Sequence, residues 1–199
     1  MASDNTILRS MHDLGAAGWF GSVLMAAVAT NRAAGDVASA TESADRSGSD
    51  VTSFDDVGRV TNGVWERWNP VNAGLIAMHL VGATGLVVAN KGRLMSQRGV
   101  GASSTAKTVV TAAALGASAY AGILGKRIHG AGVVPMRDGT TPTETTPDDV
   151  ASALRQQNVL QWVIPALTGS IIVLGAVQGE QQRVSRVVSG TLDRLNPVR

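Results

Sequence analysis

Four stretches of this 199-residue chain contain no Asp, Glu, Lys or Arg. They are Leu14–Asn31, Trp68–Asn90, Thr108–Gly125 and Gln156–Gly179, with 18, 23, 18 and 24 residues. At about 1.5 Å of rise per helical residue, roughly 20 residues cross a hydrocarbon layer of about 30 Å. A soluble core helix seldom needs one charge-free run of this length. Four together predict transmembrane helices at about 14–31, 68–90, 108–125 and 156–179. The expected fold is all-α: a four-transmembrane-helix bundle, a single membrane domain over 1–199, with the lipid bilayer as its first partner.

Composition narrows the functions that remain. Charged residues make up 16% of the chain and are confined to the connections. Seventeen basic residues stand against fifteen acidic ones, and no basic run is interleaved with aromatics, so no nucleic-acid partner is expected. The absence of cysteine removes disulfides, thiolate metal sites and a Cys nucleophile. A cleaved signal peptide is the rival reading of the first span, because Ala27-Val28-Ala29 forms an A-x-A triplet after an apolar run. Against it, Asp4 and Asp13 offset Arg9, and Gly15, Gly18 and Gly21 interrupt the run. The retained span is the preferred reading.

The connections differ in kind. Residues 33–53 are Ser- and Asp-rich without apolar period and read as a flexible loop. Phe54, Val57, Val60 or Thr61, Val64 and Trp68 then recur at three- and four-residue steps, the stripe of an amphipathic helix with Ser53 as N-cap. This additional helix in the first loop is expected at the bilayer surface or as an extension of the second span. Trp65 and Trp68 suit an interfacial belt, and Asn69-Pro70 reads as the turn into the membrane. Residues 136–149 form a Thr/Pro/acid stretch that needs no fold, with Asp148 or Asp149 capping the helix that follows.

Basic residues near span ends set orientation. The N-terminus, middle loop and tail carry nine Lys/Arg and four Asp/Glu; the other side carries eight and eleven. The middle loop, with four basic residues and no acid in 18 positions, is the clearest witness. It places both termini on the cytoplasmic side of the cell membrane.

The spans are rich in small residues at four-residue steps, among them Ala112/Gly116, Ala117/Ala121/Gly125 and Gly175/Gly179. Such positions let helix backbones approach closely within lipid. They account for a compact bundle, and leave open a homodimer or another membrane protein as partner.

One pattern occurs twice: Met-His-x-x-Gly-Ala-x-Gly, at residues 11–18 and 78–85. A histidine inside a span is costly unless hydrogen-bonded or ligating. His79 lies near the middle of its window, whereas His12 precedes the first one. In antiparallel spans that implies a depth difference of roughly 10–14 Å. Zinc–nitrogen bonds are only about 2.0–2.1 Å long, so no metal is expected to be held by both rings. The expectation for His79 is a hydrogen bond to a neighbouring helix; the alternative is ligand contact or proton relay. His12 and His129 read as interfacial.

Pro165 frees a carbonyl in the fourth span, and a kink there would let Thr168 and Ser170, with Thr84, line a small polar cavity facing His79. No H-E-x-x-H, G-x-S-x-G or phosphate-binding loop is present, and no carboxylate lies within a predicted span. Neither a catalytic residue nor a resident cofactor is therefore expected.

The segments "MHDLGAAGWFGSVLMAAVATNRAA", "WNPVNAGLIAMHLVGATGLVVANKGRL" and "VLQWVIPALTGSIIVLGAVQGEQQR" resemble a family of uncharacterised actinobacterial integral membrane proteins. The opening, with His12, Gly15, Ala16, Trp19, Phe20 and Gly21, is also similar in style to the first span of copper-resistance-D-like membrane proteins. Neither resemblance implies an activity or a set of site residues. The reading is a non-enzymatic integral membrane protein with structural or partner-binding duty. The alternative is a small redox, metal or solute-handling membrane protein using His79, with haem or copper as its cofactor.

Overall fold

The computed structural model describes residues 5–36, 53–91 and 100–181, and these are mostly helical. Helix α1 is α-helical over Thr6–Met25, passes through a π-helical turn at Ala26–Thr30, and regains α geometry to residue 36. Helix α2 covers Ser53–Ala89, α3 Val100–Gly130 and α4 Asp148–Gln181. Within them Thr6–Asp36, Asp55–Ala89, Ala102–Gly130 and Asp148–Glu180 are each long and apolar enough to cross a membrane.

Charge placement agrees with the helix ends. Asp55 and Asp56 occupy the first turn of α2, and Asp148 and Asp149 that of α4. Arg127 and His129 occupy the last turn of α3. Each arrangement complements the helix dipole, at about 0.3–1 kcal/mol for an exposed group. After α3, Gly132 adopts a φ of 78°, left-handed geometry that an L side chain rarely takes, and the chain turns away.

The amphipathic stripe from Ser53 is not a separate element. It is the first half of α2, which runs unbroken through Asn69-Pro70. Pro70 therefore sits in the helix interior and not in a first turn, where it removes the amide donor to the carbonyl four residues earlier. Pro165 does the same within α4. Asp148 and Asp149 likewise lie inside the first turn they were expected to precede.

Two compact units divide the chain. One comprises Phe20–Ala73 and Leu115–Ala166, and its core joins Ala34, Val57, Leu124, Ile128, Val134, Met136, Val150, Ala153 and Leu154. The Thr-rich stretch expected to lack structure folds as part of this unit. Strand β1 (Met136–Asp138) pairs antiparallel with β2 (Thr141–Pro142). Threonine hydroxyls hold the hairpin: Thr146 Oγ1 donates to the Pro135 carbonyl at 2.7 Å and accepts from the Thr143 amide at 2.8 Å. Asn31 Nδ2 donates to Gln161 Oε1 at 2.8 Å, and Asn158 Nδ2 to Thr140 Oγ1 at 3.2 Å. Threonine thus supplies here the polar partners that a short hairpin cannot obtain from its own ladder. Of the expected loop at 33–53, residues 37–52 lie outside the described residues.

The other unit comprises Met1–Trp19, Gly74–Ala114 and Leu167–Arg199. Its best-defined feature is the contact between α1 and α2 described below. The hydrophobic windows of the four helices are only 39%, 11%, 11% and 22% buried. Val81, Val87 and Val88 on α2, Val109 and Ile123 on α3, and Val159 and Val173 on α4 stay exposed. Among the described residues, few of these apolar side chains are therefore fully covered.

Candidate functional site

The repeated pattern packs against itself. With Leu8 and Leu75 included, both copies read Leu-x-x-Met-His-x-x-Gly-Ala-x-Gly, displaced by 67 residues. A Cβ at Gly15 would stand 2.5 Å from His79 N and 2.6 Å from Leu75 O; one at Gly82 would meet His12 N and stand 2.6 Å from Leu8 O. A Cβ at Gly18 would lie 2.7 Å from Leu75 Cδ2, and one at Gly85 2.6 Å from Leu8 Cδ2. Every contact in one direction has its counterpart in the other. Residues rise along α1 as their partners fall along α2, so the helices run antiparallel about a local two-fold axis.

Such approach needs glycine at Gly15 and Gly82, where a side chain would meet the opposite backbone, while at Gly18 and Gly85 it would meet a leucine side chain. Close packing of this kind replaces the hydrophobic drive that lipid cannot supply. It also brings the two histidines together. Their ring centroids lie 4.4 Å apart at an interplanar angle of 44°. Trp19, fully buried, stands 6.2 Å from the His79 ring.

The hydrogen bonds break the symmetry. His79 Nδ1 lies 3.0 Å from the carbonyl oxygen of His12, which can only accept, so Nδ1 carries the proton. His12 Nδ1 instead donates to Asp13 Oδ1 at 2.6 Å. Position 80, the counterpart of Asp13, is Leu, so His79 has no neighbouring carboxylate and turns to the backbone. In the neutral imidazoles both Nε2 atoms then bear lone pairs. His79 is fully buried, and its Nε2 has no hydrogen-bond partner among the described residues. Asp13 and Lys107 act electrostatically on both rings, and Arg9 on Lys107.

The expected depth difference between the histidines is overturned. Helix α1 begins at Thr6, well before the charge-free window, and its charges point away from the crossing: Arg9 is exposed and the Asp13 side chain is 63% exposed. A window bounded by charges marks where a whole helix turn is apolar. It does not mark where one face begins to be buried. His12 occupies the covered face, while His129 is exposed.

The cavity expected around His79 is also not built as anticipated. Thr168 is fully buried, but Thr84 and Ser170 are exposed, and the close neighbours of the His79 ring are His12 and Trp19 on α1. Sequence reasoning missed His12 and Trp19 as neighbours of His79. The signal that finds them is the longer repeat with its paired leucines, since like motifs in antiparallel helices can satisfy one another. No protein-family model, curated protein or solved structure matches the chain.

Proposed function

We propose that this chain is a four-helix bundle of the cytoplasmic membrane, with both termini cytoplasmic and a structural or partner-binding role. Apolar surface facing outward carries the reading: only 11% of the hydrophobic window of α2, and the same share for α3, is buried. At about 25 cal/mol per Å² of apolar area, leaving such faces in water is costly, and lipid removes that cost. The resemblance to actinobacterial membrane proteins belongs with this proposal, as does the single membrane domain.

Orientation is tested by labelling, since the chain has no native cysteine. Ser3→Cys, Ser49→Cys, Ser96→Cys, Thr145→Cys and Ser189→Cys are expressed singly, and intact cells are treated with a membrane-impermeant maleimide. Positions 49 and 145 are expected to label at once, and 3, 96 and 189 only after permeabilisation. The reverse pattern contradicts the proposed orientation.

A partner helix is supported by one face of α3. Gly116, Ala119 and Gly122 are exposed at three-residue steps, and nothing lies within 4 Å of a Cβ at Gly116 or Gly122. Gly116→Leu is expected to leave the fold intact and abolish association in mild detergent, measured by light scattering and by copurification from native membranes. Unchanged association contradicts the use of this face.

A further inference from the structure

We propose that Lys107 holds the phosphate of one anionic phospholipid where α3 begins and α4 ends. The inference rests on the membrane reading above and adds a ligand to it. Lys107 lies about two turns into α3 and is half-buried. Its Nζ stands 3.2 Å from where a Cβ at Gly175 would lie, so glycine on α4 leaves room for the ammonium. One turn away, Gln178 Nε2 donates to Ser104 Oγ at 3.2 Å, which fixes the pairing of the two helices there. All of these residues, with Arg9 and Asp13 of α1, belong to one compact unit.

An ammonium withdrawn from water needs an anion or hydrogen-bond acceptors around it. Lys107 has no hydrogen bond or ion pair among the described residues. Asp13 attracts it and Arg9 repels it, but Asp13 is already bonded to His12 at 2.6 Å. With neutral histidines, Arg9, Asp13 and Lys107 together carry one net positive charge, which a phosphodiester monoanion balances. The surroundings favour a phospholipid over free phosphate. Val109 on α3 and Ile172, Val173 and Val177 on α4 are exposed within one turn of Lys107 or Gly175. They offer acyl chains a packing surface from which inorganic phosphate gains nothing. Residues 90–107 also carry four basic residues and no acid, and such segments attract anionic lipid.

The test is native mass spectrometry of the full chain in detergent, titrated separately with dioleoyl phosphatidylglycerol, dioleoyl phosphatidylcholine and inorganic phosphate. One phosphatidylglycerol is expected to bind about fivefold or more tighter than phosphatidylcholine, with no inorganic phosphate retained. Lys107→Gln is expected to lose that preference and Lys107→Arg to keep it. Gly175→Leu keeps every charge but fills the space beside the ammonium, and is expected to lose the preference too. Lys91→Gln removes an exposed charge elsewhere and is expected to bind as wild type does. Asp13→Asn keeps an acceptor for His12 but removes the competing carboxylate, and is expected to bind phosphatidylglycerol about twofold or more tighter. All variants are compared at matched circular dichroism. Equal affinity of the wild type for the two lipids overturns the site. So does an equal loss in Lys91→Gln, which assigns the preference to diffuse charge. Inorganic phosphate bound as tightly as phosphatidylglycerol overturns the assignment to a lipid. A chain that survives carbonate washing of membranes yet shows no lipid preference refutes this site alone, whereas release by carbonate refutes the membrane reading beneath it.

Discussion

The Nδ1–H of His79 reaches the backbone carbonyl of His12 at 3.0 Å, so a side chain of α2 is bonded to the main chain of α1. The bond is possible because Gly15 and Gly82 admit the opposing backbone at the positions flanking it. Interhelical hydrogen bonds within membranes contribute about 0.6 kcal/mol on average. Forcing extra atoms into a packed contact costs about 1–3 kcal/mol. Adding a methyl at either glycine is therefore expected to disturb this crossing more than losing the histidine bond.

Gly15→Ala and Gly82→Ala are each expected to destabilise the protein by about 1–3 kcal/mol, because the new methyl meets backbone that cannot rotate away. Thermal unfolding in detergent measures the effect. Gly21→Ala serves as control, since nothing lies within 4 Å of a Cβ there. It is expected to be neutral or slightly stabilising, as alanine is the better helix former.

Gly18 and Gly85 behave differently, because they face leucine side chains rather than backbone. Gly18→Ala is expected to destabilise, and the added change Leu75→Ala to restore part of the loss. A double-mutant cycle on the unfolding midpoints is expected to give a coupling of about 0.5–3 kcal/mol. No such rescue is expected for Gly15→Ala, whose obstacle is the His79 amide nitrogen at 2.5 Å.

His79→Ala removes the bond to His12 and the ring packed near Trp19. Tryptophan fluorescence is expected to shift to the red, with a lower thermal midpoint. His79→Asn retains a donor near the Nδ1 position and is expected to recover most of the midpoint. Equal loss in both variants contradicts a role for the hydrogen bond.

In the unit containing the hairpin, Thr146→Val deletes the bonds to the Pro135 carbonyl and the Thr143 amide. Two half-buried backbone groups lose their partner, at about 1 kcal/mol each. Amide hydrogen exchange at Thr143 is expected to accelerate markedly in the variant, with little change around His12.

The long helices are legible in the sequence because charge-free runs of 18 to 24 residues leave little else to form. Helix limits are less so. Asp55 and Asp56 open α2 and belong to the same helix as the apolar run, yet charge separates them from it on paper. The Thr-rich stretch is not legible, because its polarity suggests a solvated loop, whereas Thr140 and Thr146 are buried and bonded. At the crossing, the repeat around His12 and His79 was visible, but charge windows concealed which helical face each residue occupied. Geometry at that scale depends on the orientation of one turn, and hydropathy averages it away.

The most direct measurement is fractionation of membranes from cells expressing the full chain, washed with alkaline carbonate and then extracted with mild detergent. Four lipid-facing helices require the chain to stay in the carbonate pellet and to leave it only with detergent. Release of a compact monomer into the carbonate supernatant contradicts them.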